Sequence, residues 1–272
     1  MTKESKYAII TGGANGIGKS ITEAFLRESV NVIIIDIDTK SGEALQTLYS
    51  KLRFFHGDIS NKETLEEFIE TIEQPIDFLI NNAALSYKGL LSNCTYEDFE
   101  YVQRIGVTAP YFLVSLLLKK NLLAKGSSIV NIASTRAFQS QPDTESYSAA
   151  KGGIIALTHA MAISLSGYTR VNSISPGWID NAIDASPTIS EQPITAIENT
   201  QIGHSQHPVN RIGLPVDIAE MVLFLCSNKA SFITGENITI DGGMSKQMVY
   251  HNDWGWKFTP CPTLQGRIKG GC

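Results

Sequence analysis

The chain has 272 residues, of which 43% are hydrophobic and 18% charged, a composition that predicts a globular protein with one sizeable core. The formal net charge is −5 and most of the chain has no basic run, which argues against nucleic acid as the main partner. The N-terminus lacks the apolar stretch of a secretory signal, and the longest apolar run, near 111–118, is shorter than the ~20 residues of a membrane span. Four cysteines show neither zinc-ligand nor disulfide spacing, so we expect a cytoplasmic protein, with no metal site or membrane partner indicated.

Strand-like apolar runs alternate with helix-like periodic segments along the chain. The predicted elements are strand 7–10, helix 16–28, strand 32–35, helix 42–51, strand 54–55, helix 62–72, strand 78–80, helix 96–123, strand 128–132, helix 146–165, strand 171–174, helix 216–226 and strand 237–240. Seven continuously apolar strands with helical crossovers predict an α/β fold, a single-domain doubly wound parallel sheet with helices on both faces. Ligands bind such sheets at the carboxyl ends of the strands, where the irregular segment 180–210 would form a substrate loop.

A glycine-rich turn lies between the first strand and the first helix. Gly12, Gly16 and Gly18 have the spacing G-x-x-x-G-x-G. Glycines let the chain turn sharply and let backbone N–H groups approach a pyrophosphate at the helix N-terminus. Such a turn is often a plain loop, but its position after a strand and before a helix favours a dinucleotide site.

Asp36 ends the second strand, 18 residues beyond Gly18. A carboxylate in this position accepts hydrogen bonds from the adenosine ribose and repels a 2′-phosphate, so NAD is the predicted cofactor. The alternative is a solvated aspartate at a strand end.

Tyr147 and Lys151 are four residues apart on a predicted helix and therefore share one face. A neighbouring ammonium stabilises a phenolate, which makes tyrosine a usable base near neutral pH. Ser134, at the end of the preceding strand, is placed to bind a reacting oxygen. The alternative is a Tyr–Lys pair on a solvated helix face.

Taken together, these motifs resemble those of a single-domain short-chain dehydrogenase/reductase over about residues 6–246. Further matching pieces are Asp58-Ile59, Asn81-Asn82-Ala83-Ala84, Pro176-Gly177-Trp178-Ile179 and Ile240-Asp241-Gly242-Gly243. The resemblance implies a Rossmann fold, a homodimer or homotetramer, and interconversion of a secondary alcohol and a ketone.

The resemblance also implies roles for individual residues. Ser134 would orient the substrate oxygen, Tyr147 would be the general acid/base, and Lys151 would hold the nicotinamide ribose and lower the pKa of Tyr147. The implied cofactor-binding residues are Gly12, Asn15, Gly16, Ile17, Gly18, Asp36, Ile37, Asp58, Ile59, Asn82, Ala83, Ala84, Ile132, Tyr147, Lys151, Pro176, Gly177, Trp178 and Ile179.

Two positions depart from the family pattern. Gly106 stands where the family often has an asparagine that completes a catalytic tetrad, and we hypothesise that the backbone of Gly106 preserves the proton relay. Asn181 stands where a threonine often contacts the carboxamide, and an amide can also donate and accept hydrogen bonds. His204 and His207 are three residues apart, but no further ligand accompanies them, so loop histidines are favoured over a metal site.

Substrate identity is left open by these residues. The stretch 134–140 together with 244–246 resembles a bacterial subset that includes hydroxysteroid dehydrogenases, while sugars and polyols remain alternatives. A catalytically weak nicotinamide-nucleotide-binding regulator is the other alternative, suggested by Gly106. The C-terminal extension 247–272 carries Trp254, Trp256 and Phe258, which would cap a neighbouring subunit's pocket or anchor the tail.

Overall fold

The computed structural model describes residues 5–86, 91, 93–181, 201–250 and 252–255. Its strands are β1 (Tyr7–Thr11), β2 (Asn31–Asp36), β3 (Leu52–His56), β4 (Ile76–Asn81), β5 (Leu123–Ile132), β6 (Thr169–Pro176) and β7 (Asn237–Ile240). Its α-helices are α1 (Gly16–Arg27), α2 (Thr39–Leu48), α3 (Lys62–Glu70), α4 (Tyr96–Gln103), α5 (Ala109–Lys119), α6 (Glu145–Ser164), α7 (Gln201–Ser205) and α8 (Pro215–Cys226). A π-helical segment, Arg104–Thr108, joins α4 to α5, and 3₁₀ turns cover Thr135–Ala137, Asn228–Ala230, Met244–Lys246 and Asp253–Gly255.

The strands form one seven-stranded sheet in the order β3-β2-β1-β4-β5-β6-β7, and every neighbouring pair is parallel. One hydrophobic cluster packs the face covered by α1, α2 and α8, and a second packs the face covered by α3, α5 and α6. The predicted doubly wound α/β fold is confirmed. Strand order reverses between β1 and β4, so the ligand crevice of such a sheet lies above these two strands.

Several predicted helix boundaries were wrong, because capping hydrogen bonds and backbone conformation determine where a helix begins and ends. Asp38 accepts from the backbone N of Ser41, so α2 begins at Thr39 rather than at residue 42. The predicted helix 96–123 ends at Lys119, because Asn121 adopts a left-handed conformation (φ 55°) and the chain enters β5 at Leu123. The segment predicted as irregular contains the short helix α7.

The strands are less uniformly apolar than predicted. In β6, Asn172, Ser173 and Ser175 are fully buried, and both serine hydroxyls donate to Asn237 Oδ1 on β7, at 2.9 and 2.8 Å. Such hydrogen bonds remove most of the cost of burying polar groups, so polar side chains can occupy central positions of a strand.

A second buried polar chain joins β4, β5 and α6. Asn81 Nδ2 donates to Asn131 Oδ1 at 2.7 Å, and Asn131 Nδ2 donates to Thr158 Oγ1 at 2.8 Å. Asn131 and Thr158 are each at most 1% exposed. These bonds connect the end of the central strand directly to the middle of α6.

The helical stretch Tyr96–Lys119 is long and apolar enough to cross a membrane, with a mean hydropathy of 1.3. Polar residues interrupt its apolar ones, so the longest unbroken apolar run did not reveal it. It is 44% buried inside the protein, where its parts pack against α3, α6 and β5. Core helices of globular proteins pass the same length and composition test, so this stretch is weak support for a membrane span.

Candidate active site

The glycine turn forms a tight backbone cradle at the end of β1. Gly12 and Gly16 have positive φ angles of 64° and 51°, which favour glycine. A Cβ atom on Gly18 would lie 1.9 Å from the carbonyl oxygen of Gly12, so no side chain fits there. The first turn of α1 therefore approaches the loop as closely as a phosphate-binding turn requires.

Asn82 and Ala83 hold this cradle from the neighbouring strand. Asn82 Nδ2 donates to the carbonyl oxygens of Thr11 and Gly12 at 3.1 and 2.9 Å. The backbone N–H groups of Asn82 and Ala83 both donate to Thr11 Oγ1, at 3.0 and 3.1 Å. Of the predicted residues after β4, Asn82 and Ala83 therefore lie against the glycine turn, and Ala84 follows Ala83 in the chain.

Two carboxylates lie at the end of β2. Asp36 is 9% exposed and accepts from the backbone N–H groups of Ala14 and Asp38, at 2.9 and 3.0 Å. Burial raises the pKa of Asp36, although these backbone hydrogen bonds oppose the effect. Ile37, between the two aspartates, is 61% exposed, so its side chain can cover a ligand at this edge.

Asp38 lies beside the predicted cofactor-binding residues Asn15 and Asp36, and no sequence motif pointed to it. Its Oδ2 accepts from Asn15 Nδ2 at 2.9 Å and thereby ties the glycine turn to the start of α2. Partial burial raises the pKa of Asp38, but hydrogen bonds from Ser41 and Asn15 outweigh it and hold that pKa below its usual value. A charged carboxylate is therefore fixed two residues beyond Asp36.

Asp58 and Ile59 follow β3, as predicted. Asp58 accepts from the backbone N of Ser60 and from the hydroxyl of Tyr101, both at 2.8 Å, and Ile59 is 6% exposed. Tyr101 lies on α4, and no motif pointed to it because its partner is 43 residues away in the chain.

Ser134 lies two residues after the end of β5 and is 8% exposed. Its Oγ accepts from the backbone N of Arg136 at 3.1 Å, within the 3₁₀ turn Thr135–Ala137. The Arg136 guanidinium donates to Gln141 and to Thr144, the residue before α6. The 3₁₀ turn that follows Ser134 is thus bonded to the start of α6, the helix that carries Tyr147.

Tyr147 and Lys151 occupy neighbouring turns of α6. Lys151 Nζ lies 5.4 Å from the centroid of the Tyr147 ring and donates to the carbonyl oxygen of Ile132 at 2.7 Å. Lys151 is 3% exposed, and its burial lowers the pKa of the ammonium to about 8. The ammonium is therefore held between the end of β5, which leads to Ser134, and the tyrosine ring.

The buried lysine predicts a pH-dependent stability. Between pH 8 and 10.5 the unfolded lysine is protonated and the folded one is neutral, so unfolding binds a proton and stability rises with pH. The variant Lys151→Met lacks this penalty, so its stability relative to wild type should fall by about 3 kcal/mol from pH 7 to above pH 10.5. Urea unfolding at several pH values measures the difference, and a constant difference across this range would contradict the prediction.

Gly106 lies in the π segment, against α6. A Cβ atom on Gly106 would lie 2.8 Å from Cβ of Ala150, the residue before Lys151. An asparagine at 106 would therefore push against the helix that carries Tyr147 and Lys151. The absence of a side chain here is explained by close packing between the π segment and α6.

The segment after β6 closes the same edge of the sheet. Gly177 donates its backbone N–H to Ile240 O at 2.9 Å, and a Cβ atom on Gly177 would lie 2.5 Å from Cβ of Asp241. Ile179 forms a parallel bridge with Gly213, and Trp178 and His207 have ring centroids 6.1 Å apart. Pro176 ends β6, so the four residues of this motif follow one another at the carboxyl edge.

Asn181 lies beside the glycine turn, with its Oδ1 3.1 Å from the position of a Cβ atom on Gly16. The chain after β6 thus crosses back to the turn after β1. Most of the predicted substrate loop 180–210 (residues 182–200) lies outside the described residues, as do Trp256, Phe258 and the Trp254 side chain.

The two loop histidines contact backbone groups. His204 Nδ1 accepts from the backbone N of Ile212 at 3.2 Å, and His207 Nδ1 lies 3.1 Å from Gly203 O. Within the described ranges no group of three or more His, Cys, Asp or Glu side chains is arranged to hold a metal ion.

These positions fit a dinucleotide. The glycine cradle lies at the reversal of strand order, the carboxylates of Asp36 and Asp38 lie on the β2 side, and Ser134, Tyr147 and Lys151 lie on the β5 side. An adenosine half and a second nucleotide half can therefore extend in opposite directions from a pyrophosphate bound at the cradle.

Comparison with known proteins agrees with this arrangement. Residues 12–245 match the family model described as Enoyl-(Acyl carrier protein) reductase. An uncharacterised oxidoreductase of Thermotoga maritima is 40% identical over 256 residues, which cover 91% of this chain and 98% of the relative. A 3-oxoacyl-[acyl-carrier-protein] reductase of the same organism is 31% identical, with 90% of this chain and 99% of the relative covered.

A solved structure has the same fold. The apo SCOR enzyme from Clostridium thermocellum is 43% identical with a TM-score of 0.81, and the match covers 95% of this chain and 100% of that chain. Since the family model and the relatives cover most of the sequence, the predicted resemblance is confirmed. The chain belongs to the short-chain dehydrogenase/reductase family of oxidoreductases.

Proposed function

We propose that the protein uses NAD to interconvert a secondary alcohol and a ketone, with Tyr147 as the general acid/base. The observation that carries the proposal is the Lys151 ammonium, 5.4 Å from the Tyr147 ring centroid and fixed by the Ile132 carbonyl. Binding of a nicotinamide dinucleotide is a property of the family. The preference for NAD over NADP, the substrate and the roles of individual residues are proposed here.

Each side chain has a distinct part in the proposed reaction. The nicotinamide ring supplies or accepts the hydride when the cofactor is bound. Tyr147 Oη takes the hydroxyl proton of the alcohol in oxidation and returns a proton to the carbonyl oxygen in reduction. Lys151 stabilises the phenolate through its positive charge, and Ser134 Oγ donates to the substrate oxygen.

The proposed cofactor contacts follow the edge of the sheet. Gly12, Gly16, Ile17 and Gly18 surround the pyrophosphate, Asn15, Asp36, Ile37, Asp58 and Ile59 lie at the adenosine half, and Asn82, Ala83, Ala84, Ile132, Pro176, Gly177, Trp178 and Ile179 lie towards the nicotinamide half. Asn181 Oδ1 lies 3.1 Å from the position of a Cβ atom on Gly16, which supports a further cofactor contact by the Asn181 amide.

Two carboxylates favour NAD over NADP in this proposal. A carboxylate repels a phosphate by about 1–4 kcal/mol at 4 Å, depending on solvent access. We expect Asp36→Ser to raise the ratio of NADP to NAD catalytic efficiency about 10- to 100-fold, and Asp36→Ser with Asp38→Asn to raise it further. Asparagine at 38 keeps an acceptor for the start of α2.

Initial rates with both cofactors measure that ratio. Glu43→Gln, at an exposed position of α2, removes the same charge away from the ribose position and should leave the ratio unchanged. A preference for NADP in the wild type, or an unchanged ratio in the double variant, would contradict the assignment.

Hydroxysteroids are the proposed substrate class. The turn after Ser134 meets the C-terminal rim, where Gln139 Nε2 donates to Ser245 O at 3.3 Å. Phe138, in that turn, is 62% exposed, which supports an apolar substrate at this rim. Sugars and polyols are the alternative substrate class. A 3-oxoacyl thioester is added to the test because one relative is named a 3-oxoacyl-[acyl-carrier-protein] reductase.

The test is NADH formation from NAD⁺ with a panel of hydroxysteroids, sugars, polyols and aliphatic secondary alcohols, and NADH oxidation with a 3-oxoacyl thioester. NADP⁺ is run in parallel. Turnover with one class names the substrate. Tight NADH binding without turnover on any class would instead favour the nucleotide-binding regulator.

A homo-oligomer in the cytoplasm is part of the proposal. Family members commonly form oligomers, and α5 and α6 leave Tyr111 and Ile163 57% and 76% exposed. Exposed apolar side chains on two neighbouring helices support an interface between copies of the chain.

A further inference from the structure

The turn between α7 and α8 lies against the segment that follows β6. Gly213 N donates to Trp178 O at 3.1 Å, Asp180 N donates to Gly213 O at 2.9 Å, and Ile179 forms a parallel bridge with Gly213. The backbone position of Ile179 therefore depends on where this turn is held.

His204 is the side chain that anchors the turn from inside. Its Nδ1 accepts from the backbone N of Ile212, and Ile212 is 3% exposed and directly precedes Gly213. Because a backbone N–H can only donate, Nδ1 of His204 carries no proton in this arrangement. His207 is assigned the opposite tautomer, since its Nδ1 faces the carbonyl oxygen of Gly203.

A second anchor of the turn is weaker. Arg211 forms a bidentate ion pair with Asp217, at 2.6 and 2.7 Å, but the Arg211 side chain is 49% exposed. Solvent-exposed ion pairs contribute little. A buried N–H group that loses its acceptor is costly, so the bond from Ile212 to His204 fixes the turn more strongly.

This turn lies on the side of the sheet where the nicotinamide half of the proposed cofactor would bind. Ile179 follows β6, which lies beyond β4 and β5, whereas Asp36 follows β2 on the opposite side of β1. A dinucleotide with its adenosine at Asp36 therefore has its nicotinamide near Ile179. We propose, on the basis of the function proposed above, that His204 is a positioning residue that holds the backbone of Ile179 for the nicotinamide half of the cofactor.

Two substitutions separate the hydrogen bond from the bulk of the ring. His204→Leu removes the acceptor and keeps an apolar side chain of similar size, whereas His204→Asn keeps an acceptor close to the position of Nδ1. Gln206→Leu is the control, since Gln206 is exposed in the same turn. Thermal unfolding of each variant is recorded beside the binding measurements.

The readout compares two nucleotides in each protein. NADH binding is followed by its fluorescence, and ADP-ribose, which lacks the nicotinamide, is titrated by calorimetry. We expect His204→Leu to raise the Kd for NADH about fivefold or more while the Kd for ADP-ribose stays within about twofold. His204→Asn and Gln206→Leu should resemble the wild type in both.

The possible outcomes are distinct. Equal loss of both nucleotides in His204→Leu, unchanged NADH binding, or an Asn variant as weak as the Leu variant would each overturn the role of His204. Because the ratio of the two constants is taken within one protein, partial destabilisation cancels. Failure of the wild type to bind either nucleotide would instead overturn the proposed function, and this inference with it.

Discussion

Replacing Tyr147 with phenylalanine is expected to lower turnover by about two to four orders of magnitude while NADH binding stays within about twofold. The substitution removes only the hydroxyl, so the ring beside the Lys151 ammonium is retained. Proton transfer then has no side-chain acceptor at that position, whereas the glycine cradle and the carboxylates of β2 are untouched. Steady-state rates on the substrate found in the panel, together with NADH fluorescence titration, measure both quantities.

Tyr168→Phe is the matched control. Tyr168 donates its hydroxyl to Leu123 O at 2.8 Å, at the amino end of β5 and so at the opposite edge of the sheet from Ser134. This variant also loses one hydroxyl, but it should keep wild-type turnover. Turnover in Tyr147→Phe close to that of the control would show that another group transfers the proton.

Gly18→Ala is expected to abolish nucleotide binding and to lower the free energy of unfolding by several kcal/mol. The added Cβ would lie 1.9 Å from Gly12 O and 2.6 Å from Asn82 Nδ2, so the backbone of Gly12 and the side chain of Asn82 must both move. Overpacking of this kind typically costs 1–3 kcal/mol, and displacement of a backbone carbonyl puts the cost at the upper end or beyond. Urea unfolding and NADH titration measure the two effects.

Ser20→Ala, two residues further along α1, is the control for that substitution. Alanine has a higher helix propensity than serine, so the control should be as stable as the wild type or slightly more stable. Nucleotide binding by Gly18→Ala at wild-type affinity would mean that the pyrophosphate does not lie in the cradle.

The sequence predicted the parts of the site that depend on local spacing. The glycine spacing between an apolar run and a helical pattern predicted the turn after β1. The four-residue interval between Tyr147 and Lys151 predicted that both lie on one face of a helix. Seven apolar runs alternating with helical segments were sufficient for the sheet, because this alternation predicts parallel strands joined by helical crossovers, even where a run such as 54–55 has only two residues. The roles of the site residues stay predictions until the variants are measured.

Contacts between distant segments were beyond sequence reasoning. The bonds of Asn15 to Asp38, Tyr101 to Asp58 and His204 to Ile212 join residues that only folding brings together. The π segment was missed for a different reason. A π segment has the same apolar pattern as the α-helix around it, and the close approach of Gly106 to Ala150 appears only when two helices pack.

The buried hydrogen bonds from Asn81 to Asn131 and from Asn131 to Thr158 fix the position of α6 relative to β4 and β5. Asn131 lies on β5, three residues before Ser134, which follows the end of that strand. Thr158 lies seven residues, about two helical turns, after Lys151 on the same helix face. A hydrogen bond between them limits both the sliding and the rotation of α6 relative to β5. The spacing of serine, tyrosine and lysine is therefore set from within the core. Loops around the mouth of the site can then vary in sequence without moving Ser134, Tyr147 and Lys151.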